Sequence, residues 1–273
     1  MDHEAHDLPP IIQPKSYLYT PRLTGSGWSW EYLRRNPGYR EAWQLERQAA
    51  LRALERPPDV PPRAPTDRAA AWGLLFLEPP DQTGLEAVPF WRADAIPGRI
   101  RAGARPGAAP GGDLFDLFAE PGNKAVCLTP EGAYTIIERG PAGFRLLFAK
   151  PADLRDRLPV EVRLGDMPSD EQEREAALRF VYRGDAGASP PGRFLPGNAA
   201  NLMRQLQALD ARLAGATGLR EIAEAVYGLE AVAREWANPD GVLRRRTRYL
   251  VKRGVELMDG AYRGLLKPLK TKV

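Results

Sequence analysis

The segment GVLRRRTRYLVKRG, Gly241 to Gly254, carries six cations and no acid. Residues of that type and density suit a polyanion. Arginine forks and lysine anchor phosphates, and arginine also reads base edges bidentately. At about 100° per residue, the apolar positions Leu243, Leu250, Val251, Leu257 and Met258 fall on one side of a helix. Arg245, Arg248, Tyr249 and Lys252 then point outward, with Arg244 at their flank. The run reads as unbalanced by Glu four residues away, which separates it from an ordinary solvated helix face.

Other chemistry finds few residues to perform it. His3 and His6 are the only histidines and lie in a proline-rich N-terminal stretch, so histidine-based acid–base or triad catalysis has no base. With Cys127 as the only cysteine, the residues of an ordinary zinc cluster are lacking, and His3 with His6 reads as a solvated tail. GARPGAAPGG is glycine-rich but does not end in the Gly-Lys-Ser/Thr of a phosphate loop. No spacing of carboxylates points to hydrolysis. The expectation is a non-enzyme with no catalytic residue, cofactor, metal or small-molecule substrate.

The positive charge is local. Of the 39 Lys+Arg and 35 Asp+Glu, residues 198–273 hold 14 and 8, leaving 25 and 27 for residues 1–197. The net charge is therefore +6 at the C-terminal quarter against −2 for the rest, an asymmetry typical of contact with nucleic acid or another anionic surface. A single cysteine, an acidic polar start and the lack of a long apolar run predict a cytoplasmic protein without a membrane partner.

The elements that must position the basic helix follow from pattern. An extended arm is expected over 1–25, where Pro9, Pro10, Pro14 and Pro21 break any period. Helical spacing runs over 26–56, split by Pro37, and a Pro-rich linker follows over 57–68. Residues 69–165 read as β: a strand starting at Trp72, three apolar runs in KAVCLTPEGAYTIIERGPAGFRLLFAK, and VEVRLG from Val160. The stretch RAGARPGAAPGGD reads as a flexible loop. A helix over 170–183 and a Gly/Pro break precede helical stripes at Leu202, Leu206, Leu209 and Leu213, then Leu219, Ile222, Ala223 and Val226. The fold class expected is α+β, with an N-terminal helical segment, a small antiparallel β-meander in the middle, and a helix-turn-helix-like helical domain over 170–273 that folds independently.

GLREIAEAVYG, Gly218 to Gly228 with its Gly-Leu entry and Gly exit, has the form of the second helix of a helix-turn-helix, with the basic helix as the recognition element. The insert LEAVAREWANPD separates the two, long enough for a short helix anchored by Trp236. WSWEYLRRNPGYREAW, Trp28 to Trp43, holds three Trp and two Tyr, more than two short helices bury alone. Trp28, Trp30 and Trp43 are therefore candidates for a subunit or partner interface as well as for the chain's own core.

The C-terminal phrases REIAEAVYG and LVKRGVELMDGAYR resemble the RovC-type DNA-binding domain of proteobacterial regulators of type VI secretion. That domain also occurs in excision activators and antiactivators of integrative and conjugative elements. WSWEYLRRNPGYREAW resembles the transcriptional-regulator-like domain often fused ahead of it. The resemblances span about 26–56 and 178–268. They imply double-stranded DNA as partner and control of secretion-system or mobile-element genes, and they assign no base-reading residue. A homo-oligomer is expected, a dimer or larger, with a hexamer among the forms considered. The alternative is a protein-interaction module, an antiactivator that sequesters another regulator.

Overall fold

The computed structural model describes residues 15–53, 65–92, 95, 99–104, 116–117, 119–120, 123–129, 132–139, 142–148, 160–163, 196–238 and 242–266. The expected helix over 170–183, residues 1–14 of the arm and most of the Pro-rich linker lie outside them. Among the described residues, no helix is long and apolar enough to cross a membrane.

The N-terminal helical segment is two helices, α1 (Gly25–Leu33) and α2 (Pro37–Ala53). The Thr24 hydroxyl oxygen accepts from the Gly27 amide and caps α1. Asn36 does the same for α2, its Oδ1 accepting from Gly38 and Tyr39 at 2.9 and 3.2 Å. Pro37 is then the first helical residue, where its missing N–H costs nothing. The expected split at Pro37 thus holds. Every residue of α1 from Ser26 to Leu33 is buried, so this is a helix inside the protein rather than on it.

Part of the expected extended arm is folded. Two 3-10 turns, Lys15–Tyr17 and Thr20–Arg22, lead into α1. Leu23 enters the core, and the Tyr17 hydroxyl donates to Asp210 at 2.5 Å. The prolines prevent a long helix there but not a docked turn.

The C-terminal region is four helices: α4 (Pro196–Leu213), α5 (Leu219–Tyr227), α6 (Leu229–Glu235) and α7 (Val242–Met258), closed by a 3-10 turn at Ala261–Leu266. The short α3 (Asp67–Ala70) lies before them in the chain. The insert between Gly228 and Gly241 forms its own helix, α6, as expected. Two cores sit among these helices. One is built by α5, α6 and the first half of α7 around Ile222, Ala223, Val226, Val232, Leu243 and Leu250. The other joins Trp28, Trp30, Tyr32 and Leu33 of α1 to Leu202, Met203 and Leu206 of α4 and Leu257, Met258 and Tyr262 near the C-terminal end. Buried hydrogen bonds stitch this second core. Tyr32 donates to the Leu202 carbonyl at 2.8 Å, and Ser29 to the Tyr262 carbonyl at 2.9 Å.

The middle of the chain forms a sheet of five described strands: β1 (Arg99–Ala104), β2 (Asn123–Thr129), β3 (Gly132–Arg139), β4 (Ala142–Phe148) and β5 (Val160–Arg163), in the order β2-β3-β4-β1-β5. The meander β2-β3-β4 is antiparallel, as expected. β1 extends it by pairing parallel to β4, and β5 lies antiparallel to β1. Arg101–Ala104, read from sequence as the start of a loop, is therefore strand. Its partner lies far along the chain, so no local pattern marks it.

The strand expected from Trp72 does not form. That stretch turns, with a single bridge between Leu74 and Trp91. Its apolar residues serve two neighbours: Leu74 and Leu77 enter the core around α1, while Phe76 packs with Phe90, Tyr134 and Leu147 under the sheet. An apolar run that divides between two cores has the hydropathy of a buried strand without its ladder.

Candidate nucleic-acid interface

α7 is one-sided. Leu243, Thr247, Leu250, Val251, Gly254, Leu257 and Met258 are buried, and the opposite side carries Arg245, Arg248, Tyr249 and Lys252, all exposed. Tyr249 keeps 53% of its surface in solvent. Arg245 and Arg248 make no hydrogen bond or ion pair with any described residue, so their forks are available to a ligand. Lys252 is the exception to the expected lack of i+4 acids: its Nζ lies 3.9 Å from Glu256 Oε1. Both groups are solvated, and such a pair contributes little and yields readily to a phosphate.

Arg244 is occupied differently. It is exposed, but its Nη2 donates to the Trp236 carbonyl at 2.7 Å and its guanidinium sits 5.2 Å from the Trp236 ring centroid. A cation on the last carbonyls of α6 answers that helix's dipole and ties α6 to the start of α7. Trp236 is thus an anchor, as expected, and Arg244 holds the frame that presents its neighbours.

The frame is tight. A Cβ on Gly254 would stand 2.7 Å from the Gln205 carbonyl oxygen and 3.1 Å from Leu209 Cβ, so α7 crosses α4 where only hydrogen fits. Ala223, the small residue on which the sequence placed a helix crossing, is fully buried on α5 in the core shared with α6 and α7. Gly228, between α5 and α6, has φ +85°, a conformation that side chains resist. A one-residue junction between two helices therefore requires glycine.

Sequence reasoning missed a set of buried charges on the far side of α4. Glu31, with a fully buried side chain, pairs with Arg34 at 2.7 Å and Arg35 at 2.6 Å, and accepts from the Gly84 amide at 2.6 Å. Arg35 also grips Asp210 with both ends of its fork, at 2.5 and 2.9 Å. Burial pushes the Glu31 carboxyl up, but Arg35, Arg34 and the Gly84 N–H together hold it below the usual carboxylate value. Burial is also the main reason that Tyr17 is pushed above its ordinary range, with Asp210 adding to it. The same cause, with Glu31 second, pushes Tyr19 up to about 12. RR in RRNP looks like solvated charge in one dimension. Only the return of α4 reveals its partner.

Trp28 and Trp30 do not face a partner. Both are fully buried in the chain's own core, Trp30 donating from Nε1 to the Gln82 carbonyl at 2.9 Å. The surface they would offer to another subunit is already covered by α4, α7 and residues 74–91. Trp43 is half-buried at the edge of this core with Arg47 over its ring at 5.2 Å. The aromatic surplus of the segment is consumed by long-range contacts within the chain.

No curated protein matches the chain. Residues 161–267 match the family described as T6SS, transcription factor, DNA binding domain, of the RovC type. Residues 12–77 match the proteobacterial transcriptional regulator-like domain. Both spans are wider than the phrases that first suggested them. The N-terminal one takes in the docked turns before α1 and the segment through Leu77 that packs on it. The chain thus carries, in this order, a match to a proteobacterial transcriptional regulator-like domain and a match to a RovC-type DNA-binding domain.

Proposed function

We propose that the protein is a sequence-specific transcription regulator that grips double-stranded DNA with the outer side of α7 and acts on secretion-system or mobile-element genes. The observation that carries the reading is the pair Arg245 and Arg248, exposed forks with no partner among the described residues, set beside Tyr249 and Lys252 on a helix whose other side is locked into the fold. The family of residues 161–267 supports DNA as the ligand and a regulatory rather than enzymatic role. Arg245 and Arg248 are the base readers in this reading, while Lys252 holds phosphate as a point charge.

The test is the triple variant R245A/R248A/K252A in a gel shift against DNA from the protein's own gene neighbourhood. A folded triple variant should lose most affinity, and the log–log salt dependence should flatten by about one unit per lost phosphate contact. Unchanged affinity and slope would remove α7 as the DNA-reading element. A protein-sequestering role would then lead, since an apolar interface responds weakly to salt.

A further inference from the structure

One cluster at the edge of this helix is unexplained by folding. Arg246, on α7, lies about 80° around the helix from the centre of the buried stripe, on the flank opposite Arg244. It is half-buried, and it lies within electrostatic reach of Arg204 of α4 and Tyr227, the last residue of α5. Tyr227 is only 2% exposed, yet its hydroxyl has no hydrogen-bond partner. The Nε of Arg204 is likewise buried and unpartnered. Neither arginine has an ion pair among the described residues. Glu235 is the one acid that reaches Tyr227, more weakly than either arginine, and it does not act on Arg204. Burial, with Arg246 adding to it, holds Arg204 below its ordinary pKa, though a guanidinium keeps its charge. Two half-buried like charges and an unsatisfied hydroxyl oppose folding unless something else answers them.

We propose that Arg204, Arg246 and Tyr227 form a phosphate site, built by α4, α5 and α7 together, that takes one backbone phosphate of the bound DNA. This rests on the reading of α7 as the DNA-contacting helix. Arg246 follows Arg245 directly in the chain, so a duplex lying on Arg245 and Tyr249 brings its backbone to this margin. Two guanidinium forks and a hydroxyl, carried by three different helices, supply charged and neutral donors of the kind a phosphate accepts. Because Arg204 and Tyr227 come from helices other than α7, occupation of the site fixes the register of the duplex on the domain. A lone charged helix does not.

The test uses the full chain, a fluorescent duplex of random sequence at low salt, and R204Q, R246Q, R204Q/R246Q and Y227F variants. Arginines that share one phosphate lose it together. Each single variant should weaken binding about ten-fold and flatten the salt dependence by about one unit, and the double should flatten it no further. Y227F should weaken binding with the slope unchanged. In phosphate-free buffer R204Q should melt no lower than wild type, since it removes a repulsion. Inorganic phosphate should raise the wild-type Tm relative to chloride at matched ionic strength, and should not raise that of R204Q/R246Q. Equal affinity, slope and phosphate response in a folded double variant overturns the proposal and leaves the α7 reading standing. A double slope loss in the double variant also overturns it, because the arginines would then hold separate phosphates. If the wild type binds no duplex, the α7 reading fails and the DNA occupant with it. The inorganic phosphate arm then decides whether the three residues hold free phosphate instead.

Discussion

α1 and α7 are both helices whose composition announces an interface, and the chain uses them in opposite senses. α1 carries Trp28, Trp30 and Tyr32, and the fold covers it on every side. α7 carries six cations, and only its apolar half is covered. The lesson lies in desolvation. Aromatic surface gains from burial in any apolar setting, so it does not report whether the cover is this chain or another. A cation gains nothing from burial without a partner, so an arginine left outside a packed helix keeps its value as a signal.

That contrast breaks most sharply at Trp30. Trp30→Ala should cost about 3–5 kcal/mol of stability, read as a large fall in the denaturation midpoint. A variant that keeps wild-type stability but lowers the oligomer mass in sedimentation would return this residue to an intermolecular surface. Next in size is Gly254→Ala, where the added methyl meets the Gln205 carbonyl. Overpacking at that crossing should cost about 1–3 kcal/mol and lower Tm, and it should also weaken DNA binding by shifting α7 on α4. Unchanged Tm would mean that the crossing relaxes freely.

A third effect appears only in acid. The Glu31 carboxyl is depressed in the fold, so its contribution is present above the unfolded value of about 4.3. It is lost as pH falls through that value toward the lower folded one. Denaturant melts across this window should show stability dropping with pH, and Glu31→Gln should flatten the drop. An unaltered profile would assign acid sensitivity elsewhere. The smallest effect belongs to α7: Arg248→Ala should move stability by less than about 0.5 kcal/mol, measured by thermal melt. A larger loss would show that the exposed side of this helix serves the fold as well.

Legibility followed the range of the contacts involved. The outward positions Arg245, Arg248, Tyr249 and Lys252 were readable because a helical wheel needs only the residues of its own helix. The split at Pro37, the short helix before Trp236 and the β2-β3-β4 meander were readable for the same reason, each resting on neighbours in the chain. What escaped depends on distant partners: β1 on β4, Leu74 and Phe76 on two different cores, Asp210 on Arg35, and Arg204 on Arg246. The fully buried fate of Trp28 and Trp30 belongs with these, for their cover comes from residues 74–91 and from α4 and α7, all distant in the chain.

The hydrogen bond between Ser29 and the Tyr262 carbonyl spans 233 residues. A ribosome working at about 5–20 residues per second needs on the order of 12–47 s to make that stretch. For most of that interval α1, with its apolar side chains Trp28, Trp30, Tyr32 and Leu33, lacks the part of its cover that comes from α4, α7 and the C-terminal turn. The nascent chain therefore offers a chaperone a sticky segment long before the residues that retire it exist. Depletion of nascent-chain chaperones should accordingly lower the yield of this protein more than that of a chain whose core is built from neighbouring segments.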